Sequence, residues 1–347
     1  MYIGGKLDSN TYFRQEKNGV ILYKLIENQY SFFENMFVGN KDELKKISIN
    51  EKKKNINVDL FYPICVCCLT ENKCNLDCIY CFGDDKMYDR KKNISVEELY
   101  TPLVDIHPIQ VSLGGGEPTL NSQIGEIIKF LSAHEIAVVL DTNGTTPSLK
   151  SIVPILKSTD SLVRVSLDSL NDEIINEIRP LKKNMRNKKD IVCPKLLSNI
   201  IKNNIDYLLG NNIPIAIHTV LTQKNKDCIL ELAEFILERG VKRWHIDGVK
   251  YSEKCRGFYE NIRINKEIIL NNMQLLEKYK KYINITFSYE EDSAPNVRLF
   301  FDVNGSFLTD SVYDSLNYLD NTAGLEEIYG ILDKKRHIER YLGNFYI

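Results

Sequence analysis

The sequence lacks an excess of charge of either sign. Its 347 residues include 45 lysines and arginines and 47 aspartates and glutamates, which leaves a formal net charge of −2. A protein that attracts nucleic acid or an anionic membrane through its overall field carries many unbalanced positive charges. The composition excludes that mode of attraction, and we expect neither a nucleic-acid partner nor a membrane partner.

Long apolar segments are also absent. The sequence has no apolar run of about 18 residues, the length that spans a bilayer, and its first residues, MYIGGKLDSNTYFRQEK, are not a basic and then apolar secretory signal. We therefore expect a cytoplasmic protein. The nine cysteines are an odd number, which argues against a secreted disulfide framework, so reduced thiols are expected.

Apolar and polar segments divide the chain into three parts. The runs at 19–26 and 30–37 predict a small strand-and-helix unit that is a candidate for binding substrate or a leader segment, and the lysine-rich stretch at 41–54 predicts a solvated helix or linker. Regular alternation of strands and helices starts near residue 58. We predict an N-terminal extension, a core and a C-terminal extension over 1–55, 56–255 and 256–347.

The core has the rhythm of a parallel α/β fold. Short apolar runs alternate with segments of helical period, and parallel strands need such crossovers, which are right-handed. We predict a partial (β/α)6 TIM-like barrel with small α+β extensions at both ends. The predicted strands lie within 58–69, 109–113, 137–141, 162–167, 214–221 and 243–249, and the clearest helices within 122–135, 187–210 and 226–240.

In such a fold, ligands bind at the C-terminal ends of the strands. The first strand is followed by Cys74, Cys78 and Cys81. Three thiolates can ligate three irons of a [4Fe–4S] cluster and leave the fourth iron open, which indicates chemistry rather than structure. Zinc is the alternative, because it uses the same ligands, but a closed structural site wants four. Among the remaining cysteines, those at positions 65, 67 and 68 are candidates for the fourth ligand.

The next three strands also end in unusual residues. The second ends in a GGGEP segment, where Gly115 and Gly116 allow close approach of a ligand to the backbone and Glu117 offers a carboxylate. The third ends in DTNGT (141–145), and the fourth in VSLDS (165–169). Each segment alone is also compatible with an ordinary turn.

Taken in order, CNLDCIYCF, GGGEP, DTNGT and VSLDS closely resemble the motifs of the radical S-adenosylmethionine (SAM) superfamily. The likeness covers about residues 60–250 and is closest to its peptide and sulfatase maturases and its molybdopterin-precursor cyclases. The resemblance implies that the cysteine trio binds a [4Fe–4S] cluster and that six residues contact SAM: Tyr80, Gly115, Gly116, Glu117, Ser166 and Arg179.

The resemblance also implies a reaction and its partners. A reduced cluster would cleave SAM to a 5′-deoxyadenosyl radical, which abstracts hydrogen from the substrate, and a one-electron donor such as flavodoxin or ferredoxin would supply the electron. Many maturases carry further cysteines for auxiliary clusters. Here only Cys193, Cys228 and Cys255 follow the trio, so we expect a single cluster and a C-terminal extension that has lost its cluster ligands.

Two further groups of residues stand out. Cys65, Cys67 and Cys68 lie in the first strand, where core packing is the simpler interpretation and an accessory ligand role the alternative. In the sixth strand, alternation places Arg243, His245 and Asp247 on one face, and His218 lies on the fifth strand. The two histidines and the aspartate are candidate catalytic residues that position substrate or relay protons, or members of a structural hydrogen-bond network.

Three functions compete. A maturase-like enzyme modifies a peptide, whereas the missing auxiliary cysteines favour a small-molecule substrate such as a sugar, nucleoside or cofactor precursor. The third is a non-catalytic zinc or iron–sulfur module used for binding, with RNA as an example of a partner. It predicts a basic, aromatic surface, which the balanced charge does not favour.

Overall fold

A computed structural model describes residues 3–39, 41–44, 58–81, 94–182, 196–289, 296–309, 317–319 and 324–342. None of the helices in these ranges is both long enough and apolar enough to cross a membrane.

The N-terminal segment forms a four-stranded antiparallel sheet with its strands in chain order, followed by the short helix α1 (Lys41–Leu44). The predicted strand-and-helix unit is wrong at 30–37, where a strand forms instead. Alternation explains the difference: Phe32 and Phe33 point to opposite faces of the sheet and pack in different apolar clusters. The strands are β1 Gly4–Lys6, β2 Thr11–Glu16, β3 Gly19–Lys24 and β4 Gln29–Glu34.

A second sheet of ten strands forms the partial barrel and confirms the predicted fold class. The six predicted strands are all present and parallel. They are β5 Cys65–Glu71, β6 Gln110–Gly115, β7 Ala137–Thr142, β8 Leu162–Ser166, β9 Ile215–Leu221 and β10 Arg243–Gly248.

The chain after residue 255 extends this sheet at both ends. The strand β11 (Asn284–Ser288), which we did not predict, pairs parallel to β10. At the other end β12 (Leu299–Phe301) pairs parallel to β5, and β13 (Phe307–Thr309) and β14 (Asn317–Leu319) follow antiparallel. Long-range pairing therefore carries the sheet beyond the six predicted strands.

Amphipathic helices cover the outside of the barrel. In α3, Ile124, Ile127, Ile128 and Leu131 are buried at the spacing of one helix face. The segment 187–195 of the predicted helix 187–210 lies outside the described residues. The helices of the barrel and C-terminal region are α2 Val96–Asp105, α3 Ile124–Ala133, α4 Ser148–Ser151, α5 Val153–Ser158, α6 Asp172–Ile178, α7 Leu197–Gly210, α8 Ile229–Glu238, α9 Tyr259–Ile262, α10 Lys266–Leu276, α11 Leu325–Ile331 and α12 Lys334–Leu342.

The N-terminal sheet closes the base of the barrel, where the parallel strands begin. Tyr12, Ile21 and Tyr23 pack in one apolar cluster with residues at the starts of these strands, among them Ala137 and Leu162. The opposite edge, where the strands end, is thereby the edge available for a site.

Candidate functional site

The predicted cluster cysteines lie in the loop that follows β5, at the C-terminal edge of the sheet. Cys74, Cys78 and Cys81 are half-buried, and none of the three forms a disulfide bond. Cys74 Sγ accepts a hydrogen bond from Leu76 N at 3.4 Å and one from Asn143 Nδ2 at 3.7 Å. The first and third strand ends are thus in direct contact, as the order of the motifs predicts.

The segment after α6 holds this loop in place. Asp77 N donates to Pro180 O over 2.7 Å, and Ile79 N donates to Ile178 O over 2.9 Å. These bonds fix the backbone on both sides of Cys78.

Burial disfavours the charged form of these thiols. It raises the pKa of Cys74 to about 11 and that of Cys78 to about 12. Because thiolates are the metal ligands, loading this loop with metal releases protons. The three half-buried thiols can therefore serve as ligands of a positively charged metal group, which stabilises their thiolate form.

The glycine-rich turn after β6 packs against the chain that leads into the cysteine loop. Gly116 N donates to Glu71 O over 2.6 Å. A Cβ at Gly116 would lie 2.3 Å from Lys73 O, and one at Gly115, whose φ is +115°, would lie 2.4 Å from Glu71 O. Glycine is required here by the approach of two backbones, a reason that the sequence did not reveal.

Glu117 is completely buried, and its carboxylate is engaged by neighbouring donors. Its Oε1 accepts from the Thr119 amide at 3.1 Å, the Thr119 hydroxyl at 2.5 Å and the Thr142 hydroxyl at 2.8 Å, and its Oε2 accepts from Asn143 N at 2.7 Å. Burial raises the pKa of Glu117, and these hydrogen bonds oppose the increase. The carboxylate thus joins the second strand end to the third.

Tyr80, the predicted adenine contact, is fixed through its hydroxyl, which donates to Asp168 Oδ2. Asp168 is itself buried and accepts a second hydrogen bond from Val220 N at 2.8 Å. Burial raises the pKa of Tyr80 well above its ordinary value. Asp168, within the VSLDS motif, was not predicted to have a role, although it positions the tyrosine of the cysteine loop.

Arg179 is buried beside the cysteine loop. Its Nη1 donates to Ser166 O over 2.7 Å and its Nη2 donates to Asn143 O over 3.2 Å. Burial would lower its pKa, but the neighbouring Tyr80, Asp168 and Cys78 raise it. Arg179 Nε has no hydrogen-bond partner in the part of the chain that the structure describes. The guanidinium therefore links the backbone of Ser166, an expected SAM contact, to that of Asn143.

His218, His245 and Asp247 lie together on the inner face of the barrel. His218 Nε2 is 2.7 Å from Asp247 Oδ2, and His245 Nε2 is 3.4 Å from Asp247 Oδ1. Burial lowers the pKa of His245 to about 4. Burial would raise the pKa of Asp247, but Lys250 and both histidines hold it well below its usual range.

Alternation along the strand predicts that Arg243 lies with His245 and Asp247, but the structure places its side chain elsewhere. Arg243 begins β10, is buried at the base of the barrel, and its Nη1 donates to Leu25 O of the N-terminal segment over 3.2 Å. Its side chain therefore has a structural contact at the end of the barrel opposite the cysteine loop.

No site role is predicted from the sequence for Arg164 or Asp141, and Cys67 is predicted to be a core residue or an accessory ligand. Arg164 Nη2 donates to Asp141 Oδ2 over 2.6 Å, and both side chains are half-buried. Cys67 is half-buried near this pair. A hydrogen bond from Cys65 and the nearby Arg298 lower the pKa of Cys67 against the effect of burial. The strand alternation that identified His245 and Asp247 would also have identified Arg164, two residues before Ser166.

The remaining cysteines differ in their distance from the trio. Cys65 and Cys68 are buried in β5, and Cys68 packs in the main apolar core. Cys228 is half-buried beside Ser169. Cys255 is buried near the cysteine loop, in an apolar cluster against which Ile79 and Tyr80 pack, and the Ser252 hydroxyl beside it donates to Cys81 O. Cys193 lies outside the described residues.

These features define a class of protein, a parallel partial barrel with a three-cysteine loop next to a glycine-rich turn at its ligand-binding edge. Residues 70–236 match the profile of the family described as the Radical SAM superfamily. The matched residues therefore form a Radical SAM domain, and the members of that superfamily are enzymes that bind a [4Fe–4S] cluster and SAM. The family and cofactor predictions are confirmed at this level.

Curated relatives match parts of the chain. An uncharacterised protein of Methanocaldococcus jannaschii is 30% identical over 53% of this chain and 62% of its own length. The mycofactocin maturase MftC of Mycolicibacterium smegmatis is 28% identical over 34% of this chain and 30% of its own length. A "Probable GTP 3′,8-cyclase" of M. jannaschii is 29% identical over 60% of this chain and 70% of its own length. The match spans less than two thirds of the first two relatives.

Among solved structures, Streptococcus suis SuiB bound to SAM has a TM-score of 0.66 at 15% sequence identity, over 96% of this chain and 89% of SuiB. SuiB bound to the precursor peptide SuiA has a TM-score of 0.64 at 15% identity, over 97% of this chain and 90% of SuiB. At this identity the likeness establishes the fold, including the regions outside the parallel strands.

Proposed function

We propose that this chain is a radical SAM enzyme in which Cys74, Cys78 and Cys81 hold one [4Fe–4S] cluster and the adjoining strand ends bind SAM. The observation that carries the proposal is the contact of the cysteine loop with the glycine-rich turn, where Glu117 N donates to Lys73 O, and with the third strand end, where Asn143 Nδ2 donates to Cys74 Sγ. A bound cluster would supply the electron that cleaves SAM to a 5′-deoxyadenosyl radical, the species that takes hydrogen from the substrate.

The protein residues bind and orient in this proposal. Arg179 places a positive charge beside Cys78, which eases formation of the thiolate, and its Nε already faces Asp168 Oδ2 at 3.9 Å. We assign its guanidinium to the region that receives the carboxylate of SAM. Asp168 orients Tyr80 for contact with adenine. The backbone of Gly115 and Gly116, rather than the engaged carboxylate of Glu117, is the part of this turn that we assign to the amino group of SAM.

The experiment is anaerobic reconstitution with iron and sulfide, followed by dithionite and SAM. We expect about four irons per chain and formation of 5′-deoxyadenosine. Replacement of any trio cysteine by serine should remove the cluster absorption and the product.

Cys228→Ser is the matched control, because Cys228 is also half-buried but lies outside the loop. It should retain iron and product formation. Zinc without iron in anaerobically purified protein, or full iron retention in the Cys78→Ser variant, would overturn the assignment and favour the non-catalytic module.

For the substrate we propose a peptide. Support comes from the likeness to SuiB, which was solved with a precursor peptide and which this chain matches over nearly its whole length, and from the partial match to a maturase. A flavodoxin or ferredoxin is the proposed electron donor. We keep residues 56–255 as the proposed radical SAM core, with 256–347 as an extension of its sheet.

A small-molecule substrate is the second candidate, and the match to a protein named as a GTP 3′,8-cyclase over 70% of its length favours it. The two are separated by measuring substrate-dependent 5′-deoxyadenosine formation with GTP and with short peptides encoded next to the gene. Stimulation and a mass change of the peptide alone support the first candidate. Conversion of GTP alone would contradict it.

A further inference from the structure

The parallel register brings two histidines and one carboxylate to a single point in the barrel. His218 in β9 is the direct neighbour of His245 in β10, and Asp247 follows two residues later on the same face. Their ligand atoms all lie within 4.8 Å of one another. Residues of two neighbouring strands thus form one compact donor set.

Neighbouring hydroxyl groups hold this set in place. His245 Nδ1 is 2.7 Å from Thr286 Oγ1, which leaves Nε2 directed toward Asp247. The Ser288 hydroxyl donates to Asp247 Oδ1, while Oδ2 faces His218. A hydrogen bond at the second ring nitrogen and a supported carboxylate are the usual surroundings of metal ligands.

The chemistry of the donors selects the ion. Two imidazoles and one carboxylate suit divalent zinc or iron and leave further coordination positions open, whereas magnesium and calcium prefer oxygen ligands alone. The side chains of His218, His245 and Asp247 are 25%, 12% and 19% exposed, so the set faces the barrel cavity rather than the apolar core.

The charges around the set include competitors for a cation. Lys250 Nζ is 3.6 Å from Asp247 Oδ1, and its side chain is 20% exposed. Arg164 also acts on His245 through its charge, although it is paired with Asp141. Metal binding would have to displace the Lys250 ammonium, which gives the proposal a specific electrostatic test.

We propose that His218, His245 and Asp247 bind one divalent transition-metal ion of the zinc or iron(II) type. His218 is the register neighbour of Ser166, an expected SAM contact, so the ion would lie one strand away from the cofactor. Its open positions would bind an oxygen or nitrogen atom of the substrate. This anchoring role rests on the proposed function, but metal binding itself does not.

The test uses the full chain with Cys74, Cys78 and Cys81 replaced by serine, so that the cluster loop cannot bind the metal. Titration with Zn²⁺ by calorimetry should give about one site per chain, and Co²⁺ should give visible d–d bands without thiolate charge-transfer bands. His218→Gln and Asp247→Asn should each weaken Zn²⁺ binding by at least about tenfold. His134→Gln, at an exposed histidine, is the matched control and should not change it.

Lys250→Met should strengthen binding, because it removes the competing cation. In the reconstituted enzyme, Zn²⁺ should protect His218 and His245, but not His134, from modification by diethylpyrocarbonate, a measurement that requires no variant to fold. Absence of saturable binding, thiolate bands with Co²⁺, or unchanged affinity in folded His218→Gln protein would each overturn the proposal. Because the titration needs neither cluster nor SAM, its failure is distinguishable from failure of the proposed function.

Discussion

At the scale of single residues, Glu117 shows how a functional motif can also be structural. Its carboxylate accepts four hydrogen bonds from Thr119, Thr142 and Asn143 in a site without solvent exposure. A buried donor that loses its acceptor destabilises the fold by more than a typical hydrogen bond contributes to stability. Glu117 therefore stabilises the contact between two strand ends that meet the cysteine loop.

We expect Glu117→Gln to lower the free energy of unfolding by about 1–3 kcal/mol, because the new amide group is itself a donor and faces donors. Urea unfolding of the metal-free protein measures this. Glu126→Gln, at an exposed position of α3, is the control and should change stability by less than about 0.5 kcal/mol. Equal stability of the two variants would contradict the structural role.

At the scale of elements, the N-terminal sheet is attached to the barrel by one buried arginine. Arg14 of β2 donates from Nη1 to Pro63 O at 2.7 Å and to His107 O at 2.9 Å, and from Nη2 to Tyr62 O at 2.8 Å. Its Nε pairs with Glu16, and both side chains are fully buried. The sheet thus satisfies carbonyl groups of the segments that enter the first two barrel strands.

Arg14→Met should destabilise the protein by about 3–5 kcal/mol, because it leaves the Glu16 carboxylate buried without its partner. Thermal and urea unfolding of the purified variant provide the measurement. Lys17→Met removes a neighbouring cation whose ion pair with Asp59 is exposed, and should cost at most about 1 kcal/mol. A loss of stability of similar size in both variants would show that the buried pair contributes no more than the exposed one.

At the scale of the whole molecule, both extensions belong to the folded unit. The N-terminal sheet and Leu342 of α12 share one apolar cluster at the barrel base, and β12 pairs with β5. His337 of α12 accepts a hydrogen bond from Ile64 N at 2.9 Å, just before β5. The N-terminal, barrel and C-terminal parts therefore depend on one another for burial.

We expect deletion of residues 1–39 to expose the barrel base and to abolish the cooperative unfolding transition, with increased binding of the dye ANS. A separate leader-binding unit predicts the opposite result, a stable remainder that keeps its cluster and loses only peptide affinity. Phe37→Ser in the full chain is the control, because Phe37 is 67% exposed, and should leave the transition unchanged.

Much of the fold and site could be predicted from the sequence. Apolar runs and turn residues are local signals, and they located six parallel strands and the residues at their C-terminal ends. The pairing of β11 with β10 and of β12 with β5 could not be predicted. Short strands far apart in the chain carry no local sign of their neighbours. Arg243 is a different case: it begins the predicted strand at 243–249, so the parallel direction of that strand already places it at the end of the barrel opposite the site.

The motifs and their order along the strands could be identified without a structure, because they depend on residue type and short-range periodicity, and their resemblance to known motifs implied the superfamily. Tertiary structure alone decided that the carboxylate of Glu117 binds neighbouring strand ends and that the N-terminal sheet closes the base. It also decided that His218, His245 and Asp247 meet at one point. These arrangements depend on register and packing between distant segments, which only the folded chain brings into contact.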